Sequence, residues 1–463
     1  MFARVAKDRI VVEFSAATAG TAPLTWGQKA ILQDMRDSGS QLSMGGMADL
    51  PEGGTAQDAA AWVSRLMRRH AALRMRLGTD DAGRPCQVVA GSGQLSLDIL
   101  TIPDDADAAG FAEHLMATWP LKPFDFRRDW PLRMAMLRHR TAGPQLVWVL
   151  SHLAADGGAH MLLADDLLAA SEASASSEPQ HPDILDIARS EQQPQVRQLS
   201  SRAMRHWESQ LRRIPPLTFG EGRGQGRSGR RCWQARFSSP AAHLAILAIA
   251  RRTGTDVSSV TLAVIATAIG RASGDAPLTV GAMVNNRFRP GMANVIAPIA
   301  QNSVVTIDVT DTSLDEVVAR SRAASMTGGM RAYYDPDDLA EVTARLDAER
   351  GYPTGVTYRV NDQRAMVVRA DAAGTVGEVT SAQVTEKLGA ASLTWLGPRE
   401  DAMRGQVSVR VENQADVLTL HVIWDRCCLT DEQVEALLHA TQQVAVEAVH
   451  DAAAPTRVAA ARA

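Results

Sequence analysis

Lysine is nearly missing from this sequence. Only Lys7, Lys29, Lys122 and Lys387 are lysines among 48 basic side chains. Arginine supplies the rest, alongside abundant alanine, which reads as the codon bias of a GC-rich genome and not as phosphate recognition. The basic groups are balanced by 52 acidic ones, for a formal net charge of −4. There is no basic surplus of the kind nucleic acid selects and no acidic tail. Cysteine is scarce as well. Cys86, Cys232, Cys427 and Cys428 form no CxxC pair and no zinc spacing. Adjacent Cys427 and Cys428 are poor disulfide partners for each other, and this usage fits a reducing compartment. Long apolar runs are absent too. The opening MFARVAKDRIVVEF holds no apolar stretch of signal-peptide length. Nothing approaches the roughly 20 apolar residues of a membrane span. A soluble, cytoplasmic protein is therefore the expectation.

What is present describes a globular protein. At 463 residues, 45% hydrophobic and 22% charged, the chain is expected to form two domains, or one domain of two halves. Trp62, Val63, Leu66 and Met67 recur at helical spacing over 56–70, and 106–118 forms a second predicted helix. Residues 132–138 alternate as a strand. The run QLVWVL at 145–150 follows Gly143-Pro144 and has the length and β-branched content of a buried strand. A helix is predicted over 159–170. Residues 171–200, rich in Ser, Gln, Pro and charge, are the best linker candidate. The Gly/Arg-rich stretch 220–230 reads as a mobile surface loop, because no strand–loop–helix frame surrounds it to cradle phosphate. Further on, helices are predicted at 240–251 and 257–271, and strands at 278–284, 303–309, 355–360, 406–412 and 416–424. A last helix starts after Leu429, with Thr430 as cap and Gln433 completing a capping box. The strand–loop–helix order of 146–168 is echoed at 418–438, without His or Asp in the second loop. The echo points to two similar halves with one active centre.

The chemistry concentrates in Ser151-His152-Leu153-Ala154-Ala155-Asp156-Gly157. A histidine just past a buried strand can reach a cleft while the sheet holds its backbone. Imidazole suits proton transfer near neutrality. Asp156 either orients the ring or makes a structural ion pair, and Gly157 permits close backbone approach. From spacing alone a packed or surface histidine is the commoner outcome. A metal set of His152, Asp156 and His160 is weaker, since Gly157-Gly158 interrupts the helix that would align them. Ser151 is a poor nucleophile candidate, because no GxSxG elbow is present and neighbouring strand residues face opposite sides.

The segment SHLAADG resembles the HHxxxDG motif of nonribosomal peptide synthetase condensation domains and the wider chloramphenicol-acetyltransferase-like superfamily. Companion segments follow in the family's order. Pro23-Leu24-Thr25-Trp26-Gly27-Gln28 resembles its LTxxQ opening, and Arg69-His70-Ala71-Ala72-Leu73-Arg74 its RHxxLR. Pro123-Phe124-Asp125-Phe126 with Trp130-Pro131-Leu132-Arg133 is similar to PFDL…PLxR. Asn286-Arg287 and Ile299-Ala300-Gln301-Asn302 resemble the later GR…GFxN stretch. The likeness spans roughly residues 20–310.

The resemblance implies a mixed α/β fold, a V-shaped pseudo-dimer of two acetyltransferase-like lobes with a tunnel between them. Its expected parts are an N-terminal lobe over 1–180, a linker over 181–200 and a C-terminal lobe over 201–463. It implies that His152 is the catalytic group, acting as base or positioning the attacking amine. Asp156 would pair with Arg287 as scaffold, with Gly157 beside the thioester. Ser151, Asn302 and Gln28 are expected as tunnel or structural residues. No metal or bound cofactor is implied. The phosphopantetheine arm of an acyl or peptidyl carrier protein enters as part of the donor substrate, and a monomer working in trans on that carrier is expected. The departure is Ser151 in place of the first motif histidine, which puts ordinary peptide-bond formation in question. No DFGW segment is found, and no acidic pair of the heterocyclising variant. Three readings stay open: amide or, less readily, ester formation from a carrier-bound thioester; a non-catalytic protein that recruits a partner; and a coenzyme A-dependent acyltransferase.

Overall fold

A computed structural model describes residues 5–51, 53–140, 143–169, 181–214, 232–366, 379–399 and 405–459. The chain divides into two compact units. One is Met1–Arg197 with Asn285–Ala300; the other is Gln198–Val284 with Gln301–Ala463. The boundaries differ from the expected ones in two ways. Residues 285–300 belong to the first unit although strands of the second flank them. The expected linker over 181–200 is largely helical, and the Gly/Arg-rich stretch 220–230 lies outside the described residues.

The first unit contains β1 (Ala6–Ser15), β2 (Gly20–Pro23), α1 (Trp26–Ser38), β3 (Ser43–Asp49), α2 (Ala56–Arg69), β4 (Met75–Thr79), β5 (Pro85–Val89), β6 (Ser92–Thr101), α3 (Ala108–Thr118), β7 (Leu132–Arg138), β8 (Gln145–Ser151), α4 (Gly157–Ala169) and α5 (Ile184–Glu191); α6 (Pro194–Leu211) starts in it. Its main sheet has the order β1-β6-β7-β8-β3, and β2-β5-β4 form a small second sheet. The continuous apolar run of β8 follows from its interior place in that sheet. Leu146, Trp148 and Leu150 enter a core with Ala159 and Leu163 of α4. Val147 and Val149, on the opposite face, join Phe111 and Leu115 of α3. With both faces covered, no polar alternation is needed. Each such side chain taken from water contributes about 1.5–3 kcal/mol.

The linker expectation fails because apolar residues hide among the polar ones. Asp183 caps α5, and Ile184, Leu185, Ile187 and Ala188 are buried in the first unit's core. The Arg69–Arg74 segment is structural. His70 Nε2 lies 2.8 Å from Asp166 Oδ2, and buried Arg74 donates through Nη1 to the carbonyls of Thr18 and Ala90.

The second unit contains β9 (Cys232–Ser239), α7 (Pro240–Thr253), α8 (Val257–Ser273), β10 (Leu278–Val284), β11 (Gln301–Ile307), α9 (Leu314–Gly329), α10 (Pro336–Arg350), β12 (Tyr358–Asp362), α11 (Ser381–Glu386), β13 (Ser392–Pro398), β14 (Val407–Glu412), β15 (Leu418–Asp425) and α12 (Asp431–His450). Its sheet runs β11-β10-β12-β14-β15-β9-β13. The sequence echo has a topological counterpart. In the first unit β6 runs parallel to β7, then β8 and β3 pair antiparallel. In the second, β12 runs parallel to β14, then β15 and β9 pair antiparallel. α4 follows β8, and α12 follows β15 behind the expected Thr430–Gln433 capping box. No single described helix is long and apolar enough to cross a membrane. None of the four cysteines is in a disulfide.

Gly27 sets a close backbone contact. A Cβ there would stand 1.7 Å from the carbonyl oxygen of Pro298, so α1 meets the 285–300 segment backbone to backbone. Gly27→Ala is expected to cost about 2–3 kcal/mol, the upper range of overpacking, because a peptide rather than a flexible side chain must move. A lowered urea midpoint with unchanged slope is the predicted readout.

Candidate active site

β8 ends at Ser151, a turn carries His152 to Asp156, and α4 begins at Gly157. Asp156 caps that helix: its Oδ1 accepts from Ala159 N–H at 2.8 Å, and its carbonyl accepts from His160 N–H at 2.8 Å. The same carboxylate is the hub of an ion pair with side chains almost wholly buried. Arg287 Nη2 lies 2.7 Å from Oδ1 and Nη1 donates to Oδ2 at 3.0 Å, a two-pronged fork. Oδ2 also accepts from the N–H groups of Ile299 and Ala300, both at 2.9 Å. Burial pushes the Asp156 carboxyl up. The Arg287 charge and these hydrogen bonds outweigh burial and hold it below the ordinary carboxylate range.

Arg287 is itself positioned from its own segment. Nη2 donates to the carbonyls of Val295 and Ala297 at 3.1 and 3.3 Å. Asn286, fully buried with φ of 58°, donates to Ile299 O at 2.8 Å. Asparagine tolerates that left-handed backbone better than most residues. Gly158 leaves the room Arg287 needs, since a Cβ there would stand 2.6 Å from Nη1. In the sequence Arg287 is marked only by the family motif, and nothing there assigns Asn286 or Gly158 a role of its own. Their one local signal was the Asn-Arg and Gly-Gly pairs.

His152 keeps partial exposure while its Nδ1 is buried without a well-aligned hydrogen bond. Burial lowers its pKa below the ordinary imidazole value, opposed by the charges of Asp156 and Asp34 and by backbone groups of His152 and Ala155. The ring is therefore neutral at neutral pH, the form with a free lone pair. His160, one turn into α4, is close enough to feel the charge of His152, and its pKa is lowered by burial and by that charge. Trp148 Nε1–H donates to His160 Nε2 at 2.9 Å, which requires that nitrogen to be bare. Trp148→Phe removes the donor. His160 is then expected to titrate at a higher pH than in the wild type, with a stability loss of about 1–2 kcal/mol for the lost bond and space. A histidine NMR titration that left His160 unmoved would refute the tautomer assignment.

The remaining candidates are distributed as follows. Gln28 is fully buried. It shares a capping box with Thr25 at the start of α1, and its Nε2 donates to Leu153 O at 3.3 Å, bracing the turn that carries His152. Ser151 is fully buried at the strand end. Its Oγ accepts from Leu153 N–H at 3.3 Å, and it pairs in register with Ser43. Gly157 opens α4. The structure thus brings His152, Asp156, Gly157, Gln28 and Arg287 into one unit. Asn302 lies on β11 of the other unit.

The family model described as Condensation domain matches residues 18–351. The chain belongs to the condensation-domain family. This family is a class of bond-forming acyltransferases that work with carrier-bound substrates. Among curated relatives, this condensation domain is 29% identical over 262 residues to phosphinothricin tripeptide synthetase PhsC of Streptomyces viridochromogenes. The match covers 53% of this chain and 24% of that synthetase, so the chain matches only about a quarter of its relative's length. Among solved structures it is similar to the condensation domain of chain release from the enacyloxin polyketide synthase, with a TM-score of 0.72 at 18% identity over 97% of this chain and 85% of that one. It is also similar to the first condensation domain of the calcium-dependent antibiotic synthetase, with a TM-score of 0.69 at 15% identity over 96% and 99%. At those identities the structural likeness establishes the fold: two chloramphenicol-acetyltransferase-like lobes of mixed sheet and helices.

Proposed function

We propose that this condensation domain joins an acyl or aminoacyl group, carried as a thioester on the phosphopantetheine arm of a separate carrier protein, to an amine. His152 is the catalytic residue. The observation that carries this reading is a partly exposed imidazole just past the end of β8, its pKa lowered by burial, on a turn braced by Gln28 on one side and by the Asp156–Arg287 pair on the other. The amine nitrogen attacks the thioester carbonyl, the C–S bond breaks, and a new C–N bond forms. His152 takes the proton that the nitrogen loses and returns it to the departing thiolate. Asp156 and Arg287 are positioning residues, and Gly157 lies beside the reacting thioester. An alcohol acceptor follows the same proton course to an ester.

Ser151 favours a second reading, in which the protein binds a carrier or recruits a partner without turnover, because one motif histidine is replaced. Retention of His152, Asp156 and Gly157 supports catalysis over recruitment. A coenzyme A thioester as donor is a third. Incubating the protein with acyl-loaded carrier and a panel of amines and alcohols, followed by intact-mass analysis of the carrier, separates them. Loss of the acyl mass with matching amide product is the expected result. Carrier that stays loaded while remaining bound sinks the catalytic reading, and turnover of the coenzyme A thioester alone sinks the carrier assignment.

A further inference from the structure

His160 has no part in the acyl-transfer reading. The metal set of His152, Asp156 and His160 does not form. Asp156 turns to Arg287 and to backbone N–H groups, and no group of three possible ligands occurs among the described residues. What remains in the first unit is a pair of histidines. His160 ends the first turn of α4, its N–H bound to the Asp156 carbonyl at 2.8 Å. Its ring lies close enough to His152 for the charge of one to bear on the other.

Trp148 sets that ring. Gly46 of β3 pairs in register with Trp148 of β8, and a Cβ on Gly46 would stand 2.3 Å from the indole, so a glycine there gives the indole its room. Trp148 Nε1–H donates to His160 Nε2 at 2.9 Å, with ring centroids 5.9 Å apart and planes tilted by 58°. An accepting Nε2 carries no proton, so the proton of the neutral ring is on Nδ1. Nδ1 makes no hydrogen bond among the described residues and is not a buried atom. Half-buried His160 therefore presents it as an unused donor.

Neutrality is built in as well. Burial and the charge of His152 lower the His160 pKa, and the positive end of α4 disfavours a cation in its first turn. Of the acidic groups on this helix and its turn, Asp156 is held as above, Asp166 is held by His70 and Arg69, and Asp165 is exposed. Trp148 and Gly46 bring no charge. His152 buries Nδ1 and so presents Nε2. One nitrogen with a lone pair and one with a proton thus stand in neighbouring rings. Acyl transfer uses both: an acceptor for the amine proton, and a donor for the oxygen that gains the electron pair of the carbonyl. A neutral imidazole serves as such a donor where its pKa is held down at a helix N-terminus.

We infer that His160 is a second catalytic residue, its Nδ1–H donating to the thioester carbonyl oxygen as negative charge develops there while His152 takes the proton of the amine. Trp148 is the positioning residue that fixes the donor. The inference rests on the acyl-transfer reading, and two measurements keep their failures apart. The first needs no substrate. Ring 15N NMR of the full chain near neutral pH, with the His160 signals identified by their loss in H160Q, is expected to show Nδ1 protonated and Nε2 bare. A proton on Nε2 overturns the inference whatever the protein catalyses. The second is turnover of acyl-loaded carrier with an amine acceptor. H160L is expected to lower kcat by about 10²–10³-fold, the range for one oxyanion donor, with KM for the loaded carrier little changed. H160Q, whose amide can accept from Trp148 and still donate, is expected to return to within about tenfold of the wild type, since one donor replaces another. W148F is expected to lose less than H160L, because its His160 proton is free to move to Nε2. An H160L protein of unchanged circular dichroism and wild-type kcat overturns the inference and leaves the acyl-transfer reading standing, and so does H160Q no faster than H160L. A wild type that turns over neither carrier-bound nor coenzyme A thioester ends the acyl-transfer reading and this inference with it.

Discussion

Asp156→Ala is expected to destabilise the protein by about 3–5 kcal/mol, the cost of stranding one half of a buried ion pair. The loss has several named parts. Arg287 would keep its charge with only the carbonyls of Val295 and Ala297 to receive it, and the N–H groups of Ala159, Ile299 and Ala300 would lose their acceptor. Asp156→Asn is no remedy, since whichever oxygen becomes NH2 then faces donors. A second substitution that removes the stranded charge, Arg287→Met, is expected to recover part of the loss in the double variant, because the pair's worth lies in mutual satisfaction. Urea unfolding of the two single variants and the double closes the cycle. Additive losses would mean the two groups act independently, against the 2.7 Å contact. Acid provides a second measure. The folded-state pKa of Asp156 lies below its unfolded value of about 4. Its contribution is therefore complete above that pH and is lost as pH falls through the folded value. Wild-type stability should decline on that acid limb, and Asp156→Ala should flatten it.

Which of these features could be read before folding depends on how local their cause is. The buried strand over 145–150 and the helix behind Thr430 were legible because an apolar run and a capping box are written in consecutive residues. The same capping-box pattern stands at Thr25 and Gln28, where it starts α1, yet its further use, Gln28 bracing Leu153 across 125 residues, has no local trace. The linker expectation over 181–200 went wrong where serine, glutamine and proline masked a periodic face: Ile184, Leu185, Ile187 and Ala188 are all buried. Strand β11 is Gln301–Ile307 rather than the predicted 303–309, because Gln301 pairs with Val284 at the end of β10, a register only a partner strand can set. Residues 285–300 join the first unit through Asp156, whose partner Arg287 is 131 residues away. No composition shift announces such a bond. His152 and Asp156 were visible as residue types, and the family motif gave their roles.

His152→Ala is expected to lower turnover by about 10²–10⁴-fold, the range for removing a positioned general base, with little change in stability. The two effects separate because Nδ1 makes no well-aligned hydrogen bond among the described residues, while Gln28 and Asp156 hold the turn through other atoms. A loss in kcat with KM for the loaded carrier preserved is the signature of a group that acts on the reacting atoms rather than on docking. The pH profile adds a test of sign. A base works in its unprotonated form, and burial keeps the His152 pKa below the ordinary imidazole value. Wild-type rate should hold through neutrality and fall only as acid protonates the ring, at a pH below that of an exposed histidine, and His152→Ala should lose this limb. An unchanged rate in His152→Ala would remove the base from the mechanism and leave only the positioning of two substrates to account for catalysis. Ser151 bears on the outcome from the other side. Fully buried, with its Oγ accepting from the Leu153 N–H, it is placed to shape the turn, so Ser151→Ala should leave both the acid limb and the order of magnitude of the rate in place.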